Sequence, residues 1–78
     1  MQRYYFDFIE GHNRARDDDG VEFQSLHEAH DEAMTTLAQA VKDAAMQGKP
    51  PRSLSIEVRD RTGLVLAVRA RLESELLR

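Results

Sequence analysis

Residues 25–48, SLHEAHDEAMTTLAQAVKDAAMQG, carry the clearest structural pattern of the chain, that of a capped amphipathic helix. Ser25 followed by Glu28 matches a capping box, in which the serine hydroxyl accepts from an amide of the first helical turn and the glutamate reaches back to the cap amide. Apolar residues then recur at three- and four-residue steps, which is typical of one buried helix face. That stripe consists of Leu26, Ala29, Ala33, Leu37, Ala40, Val41 and Ala44.

The end of this helix is also marked in the sequence. Gly48 suits the C′ position because glycine adopts positive φ without steric cost, and Pro50-Pro51 cannot continue a helix. The sequence therefore predicts a helix over residues 26–47. Because the centre of the stripe is mostly alanine, we expect this helix to lie close against a sheet.

Strand patterns flank the helix on both sides. Residues 3–9 alternate, with three aromatic side chains on one face, and this period of two predicts a strand. After the helix, residues 53–59 and 64–72 alternate on either side of the turn at 60–63. They predict a β-hairpin with one apolar face and one mixed face.

The segment between the first strand and the helix is harder to assign. A short return strand fits near 13–16 or near 21–23, and both placements stay open. Asp17-Asp18-Asp19-Gly20 suits a solvated turn between them, because Asp bonds its own backbone and Gly accepts positive φ.

These elements predict an α+β fold, a small antiparallel sheet of three to four strands in the order β(β)αββ with one helix packed on one face. At 78 residues the chain is expected to form a single domain, 1–78. The expected core combines the helix stripe with the apolar strand faces. Its members are Tyr4, Phe6, Phe8, Leu26, Ala33, Leu37, Val41, Ile56, Val58, Leu66 and Val68.

Composition excludes several classes of protein. The chain has no Cys, which excludes disulfides, Cys-ligated zinc and thiol catalysis. Its apolar runs fall well short of the roughly 18 residues of a membrane span. The N-terminal MQRYYFDFIE carries a charge at Asp7 and no small-residue cleavage site, so we expect no signal peptide, no membrane contact and a cytoplasmic location.

Candidate metal ligands do not form a recognised site. With Gly20 at position 6 of a calcium loop, Ala15 and Leu26 would occupy ligand positions 1 and 12, so the EF-hand pattern fails. His27 and His30 share a helix face, but zinc needs further ligands and the HExxH pattern is absent. We therefore predict no metal site and no cofactor.

Catalytic groups are equally sparse. Glu10 with Asp7, or Glu57 with Asp60, offers paired carboxylates, but acid–base catalysis needs a cleft that perturbs their pKa values. A one-helix sheet of this size rarely encloses such a cleft, and no glycine-rich phosphate loop is present. We predict no catalytic residues and no enzymatic activity.

Charge is distributed unevenly along the chain. The net charge is −3, which argues against nonspecific binding of nucleic acid. Residues 1–47 carry four basic and ten acidic side chains, whereas residues 48–78 carry seven basic and four acidic ones. The basic excess therefore lies in the C-terminal hairpin.

The sheet face away from the helix mixes apolar and arginine side chains, a composition common at interfaces. We predict that it forms an interaction face for a second copy of the chain or for another protein. The predicted residues of this face are Arg3, Tyr5, Ile9, Arg59, Val65, Ala67, Arg69 and Arg71.

Together, the motifs resemble a family of short alphaproteobacterial proteins classed as a domain of unknown function, over about residues 3–72. They are Arg3-Tyr4-x-Phe6-Asp7, the turn with Asp18 and Gly20, Ser25-Leu26-x-x-Ala29, Glu32-Ala33 and Val58-Arg59-Asp60-x-x-Gly63. The resemblance implies a soluble bacterial protein and brings no catalytic residue or ligand with it.

A shorter stretch, from Gly20 to Ala33, is similar to HicB-type antitoxins, although the DNA-binding tail common in that family is missing. It implies an alternative function as a nucleic-acid-linked regulator. Arg59, Arg69 and Arg71 on the basic hairpin would then be the contacts, since a β-ribbon can enter a major groove.

Overall fold

A computed structural model describes residues 1–48 and 51–78 of the chain. In chain order the elements are β1 (Gln2–Glu10), β2 (Asn13–Ala15), β3 (Val21–Phe23), α1 (Leu26–Met46), β4 (Ser53–Asp60) and β5 (Gly63–Arg71). The expected α+β class with one helix and an antiparallel sheet is confirmed.

In the described residues the sheet has five strands, one more than the upper number predicted. The strands β4 and β5 form the predicted hairpin, and β1 lies on the other side of β4. The free edge of β1 is shared by two short strands: β2 pairs with its C-terminal part and β3 with its N-terminal part. Both alternatives for the return strand are therefore realised, because each pairs with a different half of the same edge.

The helix begins where the capping box predicts. The amide of Glu28 donates to Ser25 Oγ at 3.2 Å. The Glu28 carboxylate accepts from the amide of Gln24 at 2.8 Å, one residue before the cap amide expected from the motif. The backbone amide of Gly48, at φ +81°, donates to the Ala45 carbonyl and ends the helix. The expected role of Pro50 concerns a residue outside the described ranges.

The core lies between α1 and one face of the sheet. Six predicted core residues are buried: Tyr4, Ala33, Leu37, Ile56, Val58 and Val68. Four more are half-buried against them: Phe6, Phe8, Val41 and Leu66. Buried residues missing from the predicted core are Ala29, Ala44 and Leu54.

The prediction for Leu26 is wrong, because its side chain is 42% exposed. It is the first helical residue, and Ala29, one turn later, is the first member of the stripe to be fully covered. Phe23 from β3 provides the missing apolar contact at this end, with its ring 6.3 Å from Tyr4 and 5.8 Å from Phe6.

The hairpin turn follows from local side-chain chemistry. The carboxylate of Asp60 accepts from both the amide and the hydroxyl of Thr62, and these bonds, with the hydroxyl bond the larger cause, lower the Asp60 pKa. Gly63 has φ +122°. A register shift between Val58 and Arg59 makes Val65 the extra residue of a bulge, so β5 is locally bent next to the turn.

Candidate functional site

The candidate site is the open face of the sheet, the face away from α1. Its residues follow from the strand registers, because side chains directly opposite on neighbouring strands share a face. One row across the sheet contains Arg14, Ile9, Ser55 and Arg69, and the next contains Asp7, Glu57 and Ala67. Tyr5 and Arg59 face each other in a third row.

A buried carboxylate lies in the middle of this face. Asp7 is 2% exposed although its strand alternates toward solvent on this side. Arg59 covers it with two hydrogen bonds, Nε to Oδ2 at 2.7 Å and Nη2 to Oδ1 at 3.0 Å. The Arg59 guanidinium also lies 5.1 Å from the ring centre of Tyr5, in cation–π geometry.

Asp17 completes this cluster from the chain between β2 and β3. Its amide donates to Asp7 Oδ1 at 3.0 Å, and its carbonyl accepts from Arg59 at 2.9 Å. Its carboxylate accepts the amide of Phe6 at 3.0 Å, in the middle of β1 between the parts that pair with β2 and β3. Asp17 thus takes the place of a neighbouring strand at this point.

The turn at 17–20 therefore differs from the solvated turn that was predicted. Asp17 is half-buried, whereas Asp18 and Asp19 are exposed as expected. One Asp17 oxygen accepts from the amides of Asp19 and Gly20 at 3.0 and 3.1 Å. The sequence could not distinguish Asp17 from its two neighbours, because only the fold decides which of three adjacent carboxylates reaches β1.

Both carboxylates of the cluster have lowered pKa values. For Asp7 the main cause is its hydrogen bonding to Arg59, which outweighs the opposite effect of burial. For Asp17 the largest single influence is burial, which raises the pKa. The hydrogen bonds from the amides of Gly20, Phe6 and Asp19 together outweigh it, so the net pKa is lowered. The pKa of Arg59 is raised by the same pairing. All three groups are therefore charged at neutral pH.

The remaining charged groups of the face divide into paired and unpaired arginines. Arg14 lies 2.9 Å from Glu57 and 3.7 Å from Asp7, and Arg3 pairs with Glu22 at 3.1 Å. Among the described residues Arg69 forms no ion pair. Arg71 lies 3.1 Å from the exposed Glu73, two residues further along the chain.

The predicted interaction residues do not form one continuous site. Arg3, Tyr5 and Arg59 gather at the end of the face near Gly20, where both arginines donate hydrogen bonds within the chain and the Tyr5 ring lies against the Arg59 guanidinium. Arg69 and Arg71 lie at the other end, where they line a surface depression of about 380 Å³. Arg52, Ser53 and Ala70 complete its lining. Arg52 is not among the predicted residues of this face, although its charge contributes to the basic excess of residues 48–78.

Between these ends lie the apolar members of the face, Ile9 and Ala67, which are half-buried. The predicted interface residue Val65 is the extra residue of the bulge and packs against the hydrophobic core instead. Ile9 and Ala67 are flanked in their rows by Ser55 and Glu57, respectively. We call Ile9, Ala67, Arg69 and Arg71 the basic patch.

The two candidate carboxylate pairs and the histidines have other partners. Asp7 is paired with Arg59, and the Asp60 carboxylate caps its own turn. His27 and His30 both contact Asp31, at 3.6 and 3.3 Å. Within residues 1–48 and 51–78, no group of three or more potential ligands is arranged to hold a metal ion. In the same ranges no helix is both long and apolar enough to cross a membrane.

Fold and site together define a class of small α+β proteins. In the described residues one helix covers one face of an antiparallel sheet, and a hydrogen-bonded cluster of Asp7, Asp17 and Arg59 lies on the other face. The family model of a domain of unknown function, DUF6894, matches residues 3–71, and the chain belongs to this family. The predicted membership of a domain family of unknown function is thereby confirmed, while the alphaproteobacterial origin stays a prediction. No significant match was found among curated proteins or among solved structures.

Proposed function

We propose that this protein is a non-catalytic interaction module whose basic patch binds an acidic segment of a partner protein. The observation that carries the proposal is the division of the arginines on the open face. Arg3, Arg14 and Arg59 are each paired with a carboxylate of the chain. Arg69 forms no ion pair among the described residues, so its charge is available to a carboxylate from outside.

The chemistry of the patch favours a protein partner. Half-buried Ile9 and Ala67 offer apolar contact area, and guanidinium groups at the rim bind carboxylates in bidentate geometry. The alternative, binding of nucleic acid through the hairpin, needs Arg59, Arg69 and Arg71 together. Arg59 already donates to Asp7 and Asp17, which leaves that alternative with fewer contacts.

A titration followed by amide chemical shifts tests the proposal. A short peptide of alternating glutamate and leucine should shift the amides of Ile9, Ala67 and Arg69, and added salt should weaken the effect. Arg69→Glu should abolish the binding. Arg61→Glu, which makes the same charge change in the exposed hairpin turn, should leave the binding intact.

A short DNA duplex at low salt forms the second arm of this experiment. Binding of the duplex without binding of the peptide would favour the nucleic-acid alternative. Peptide binding that is unaffected by Arg69→Glu, or no binding of either probe, would contradict the proposed function.

A further inference from the structure

The outer edge of β5 is unpaired in the described part of the chain. The strand is nine residues long, and β4 is its only partner there. Its residues 64–68 are all apolar. A long edge strand of this kind presents free amide and carbonyl groups that pair readily with another strand.

The C-terminal tail, residues 73–78, continues directly from this strand and has no secondary structure. Its side chains Leu76 and Leu77 are 94% and 79% exposed. Both apolar side chains are therefore largely uncovered in the single chain.

The backbone of β5 limits how a second strand can pair with it. The amide of Leu72 donates to the carbonyl of Arg52 at 2.8 Å, so the backbone groups of Leu72 point toward β4. In an antiparallel ladder the direction of the N–H and C=O groups alternates from residue to residue. The backbone groups of residues 67, 69 and 71 therefore point away from β4. When two β5 edges pair antiparallel around a two-fold axis, each residue whose backbone groups point outward must lie opposite another such residue of the second copy. Because these residues alternate along the strand, the axis must pass between one residue and its own copy. An axis midway between two successive residues would pair outward residues with inward ones.

The charges select one residue for this axis. An axis at Arg71 would place that side chain against its own copy, and an axis at Glu73 would do the same for two carboxylates. An axis at Leu72 places Arg71 opposite Glu73 and Arg69 opposite Glu75 of the second copy. Because the arrangement is symmetric, both pairs form twice, and opposite charges directly across a ladder stabilise it.

The apolar residues agree with this register. On the helix side of the sheet, Leu72 faces Leu72 of the second copy and Val68 faces the exposed Leu76. On the open side, Ala67 faces Leu77. The side chains that the single chain leaves uncovered at its C-terminus thus meet apolar residues of β5.

We infer that two copies of this chain pair through β5 and the tail, antiparallel and with the two-fold axis at Leu72, into one continuous ten-stranded sheet. The inference rests on the proposed function of the basic patch, because it identifies the acidic partner segment as the tail of a second copy. The Arg71–Glu73 contact within one chain is then exchanged for the same contact between copies.

Sedimentation of the full chain and of charge-reversed variants tests this pairing. Wild type should be a dimer at about 100 µM, and Arg69→Glu with Arg71→Glu should raise the dimer dissociation constant at least about 10-fold. Glu73→Arg with Glu75→Arg should do the same. An equimolar mixture of these two double variants should form a heterodimer, since every cross-strand pair again joins opposite charges.

The variant that carries all four substitutions should be a homodimer again. Glu73→Arg with Glu75→Arg adds four positive charge units, which moves the net charge from −3 to +1, so its expected loss of the dimer cannot come from stronger overall repulsion between the copies. A monomeric wild type, or double variants that do not combine, would overturn the inference. If a monomeric wild type still binds the glutamate–leucine peptide, the proposed function stands and only the second copy as partner is lost.

Cysteine crosslinking tests the position of the axis, since the chain has no native Cys. Leu72→Cys should form a disulfide-linked dimer under mild oxidation, because facing residues at the axis lie within disulfide reach. Ser74→Cys is the control: its two copies would be about 13 Å apart along the strands and should not crosslink. Equal crosslinking of both variants would contradict this register.

Discussion

Asp7 stands between two phenylalanines in a strand, and its carboxylate is among the best-covered polar groups of the molecule. Its charge persists because Arg59 supplies two hydrogen bonds and Asp17 a third. Within the described residues, no buried side-chain polar atom lacks a partner. A fully bonded cluster of this kind fixes the strands that contribute to it, since a partly satisfied one would be costly.

Replacing Asp7 should therefore destabilise the fold. Asp7→Asn removes the negative charge and leaves the Arg59 guanidinium only 21% exposed and without its main partner. We expect a loss of about 2–3 kcal/mol in the free energy of unfolding, measured by urea denaturation. Glu10→Gln, at an exposed position of the same strand, should change it by less than about 0.5 kcal/mol. Equal effects of the two substitutions would contradict a structural role of the cluster.

The lowered pKa values of Asp7 and Asp17 predict acid sensitivity. In the unfolded chain each carboxyl has its ordinary value of 3.8, so below about pH 5 the unfolded state binds more protons than the folded state. The stabilisation is complete above that region and is lost as the pH falls through 3.8 toward the lower folded values. Urea midpoints between about pH 6 and pH 3 should fall steeply for wild type and less steeply for Asp7→Asn. Parallel curves would refute the linkage.

At the scale of elements, the edge of β1 depends on the turn between β2 and β3. Two three-residue strands could not hold this edge by their own ladders, so the turn must add contacts. Asp17 bonds the amide of Phe6, and Arg3 donates to the carbonyls of Asp19 and Gly20 at 2.8 and 3.3 Å. Gly20 lets the backbone pass close to β1.

Substitution of Gly20 should show how closely the turn approaches. A Cβ at this position would lie 2.8 Å from Arg3 Cγ, 2.9 Å from Tyr5 Cε2 and 3.0 Å from the Tyr4 carbonyl oxygen, at φ +73°. Gly20→Ala should cost about 2–3 kcal/mol. Gly11→Ala, with φ +60° and no atom within 4 Å of the added carbon, should cost about 1 kcal/mol. Thermal unfolding of the two variants compares them, and similar losses would show that crowding at Gly20 is unimportant.

The helix cap gives a second prediction at this scale. Ser25→Ala removes the hydroxyl that accepts from the Glu28 amide and should lower the free energy of unfolding by about 1 kcal/mol. Ser74→Ala, in the tail, serves as the control and should have little effect. Circular dichroism during urea unfolding measures both, and an unchanged midpoint for Ser25→Ala would contradict the capping role.

For the whole molecule, α1 covers one face of the sheet, and a polar cluster around Asp7 and Arg59 lies on the other. Within residues 1–48 and 51–78, β1 and β4 are paired on both sides, whereas β5 is paired on one side only. Pairing of two copies would remove this edge and join two open faces into one surface. The single chain and the dimer therefore differ most in the exposure of the outward amides of β5.

Amide hydrogen exchange should detect that difference. In dilute solution, where the chain is monomeric, the outward amides of Ala67, Arg69 and Arg71 should exchange fast, whereas those of Val68 and Ala70 are protected by β4. At high concentration the outward amides should become protected as the dimer forms. In Arg69→Glu with Arg71→Glu the outward amides of residues 67, 69 and 71 should stay unprotected at both concentrations. Protection that is independent of concentration in wild type would contradict edge pairing.

The helix, its cap, the hairpin and most of the core are predictable from the amino-acid sequence, because these depend on periodicity and on contacts between near neighbours in the chain. The tertiary structure is needed to show that both short segments pair with β1, that Leu26 stays exposed, and that Asp17 rather than Asp18 or Asp19 is half-buried. It also decided which arginines of the open face are occupied, since Asp7 and Arg59 are 52 residues apart along the chain. Sequence periodicity assigns a residue to a face, but the packing of distant segments determines which charge on that face finds a partner.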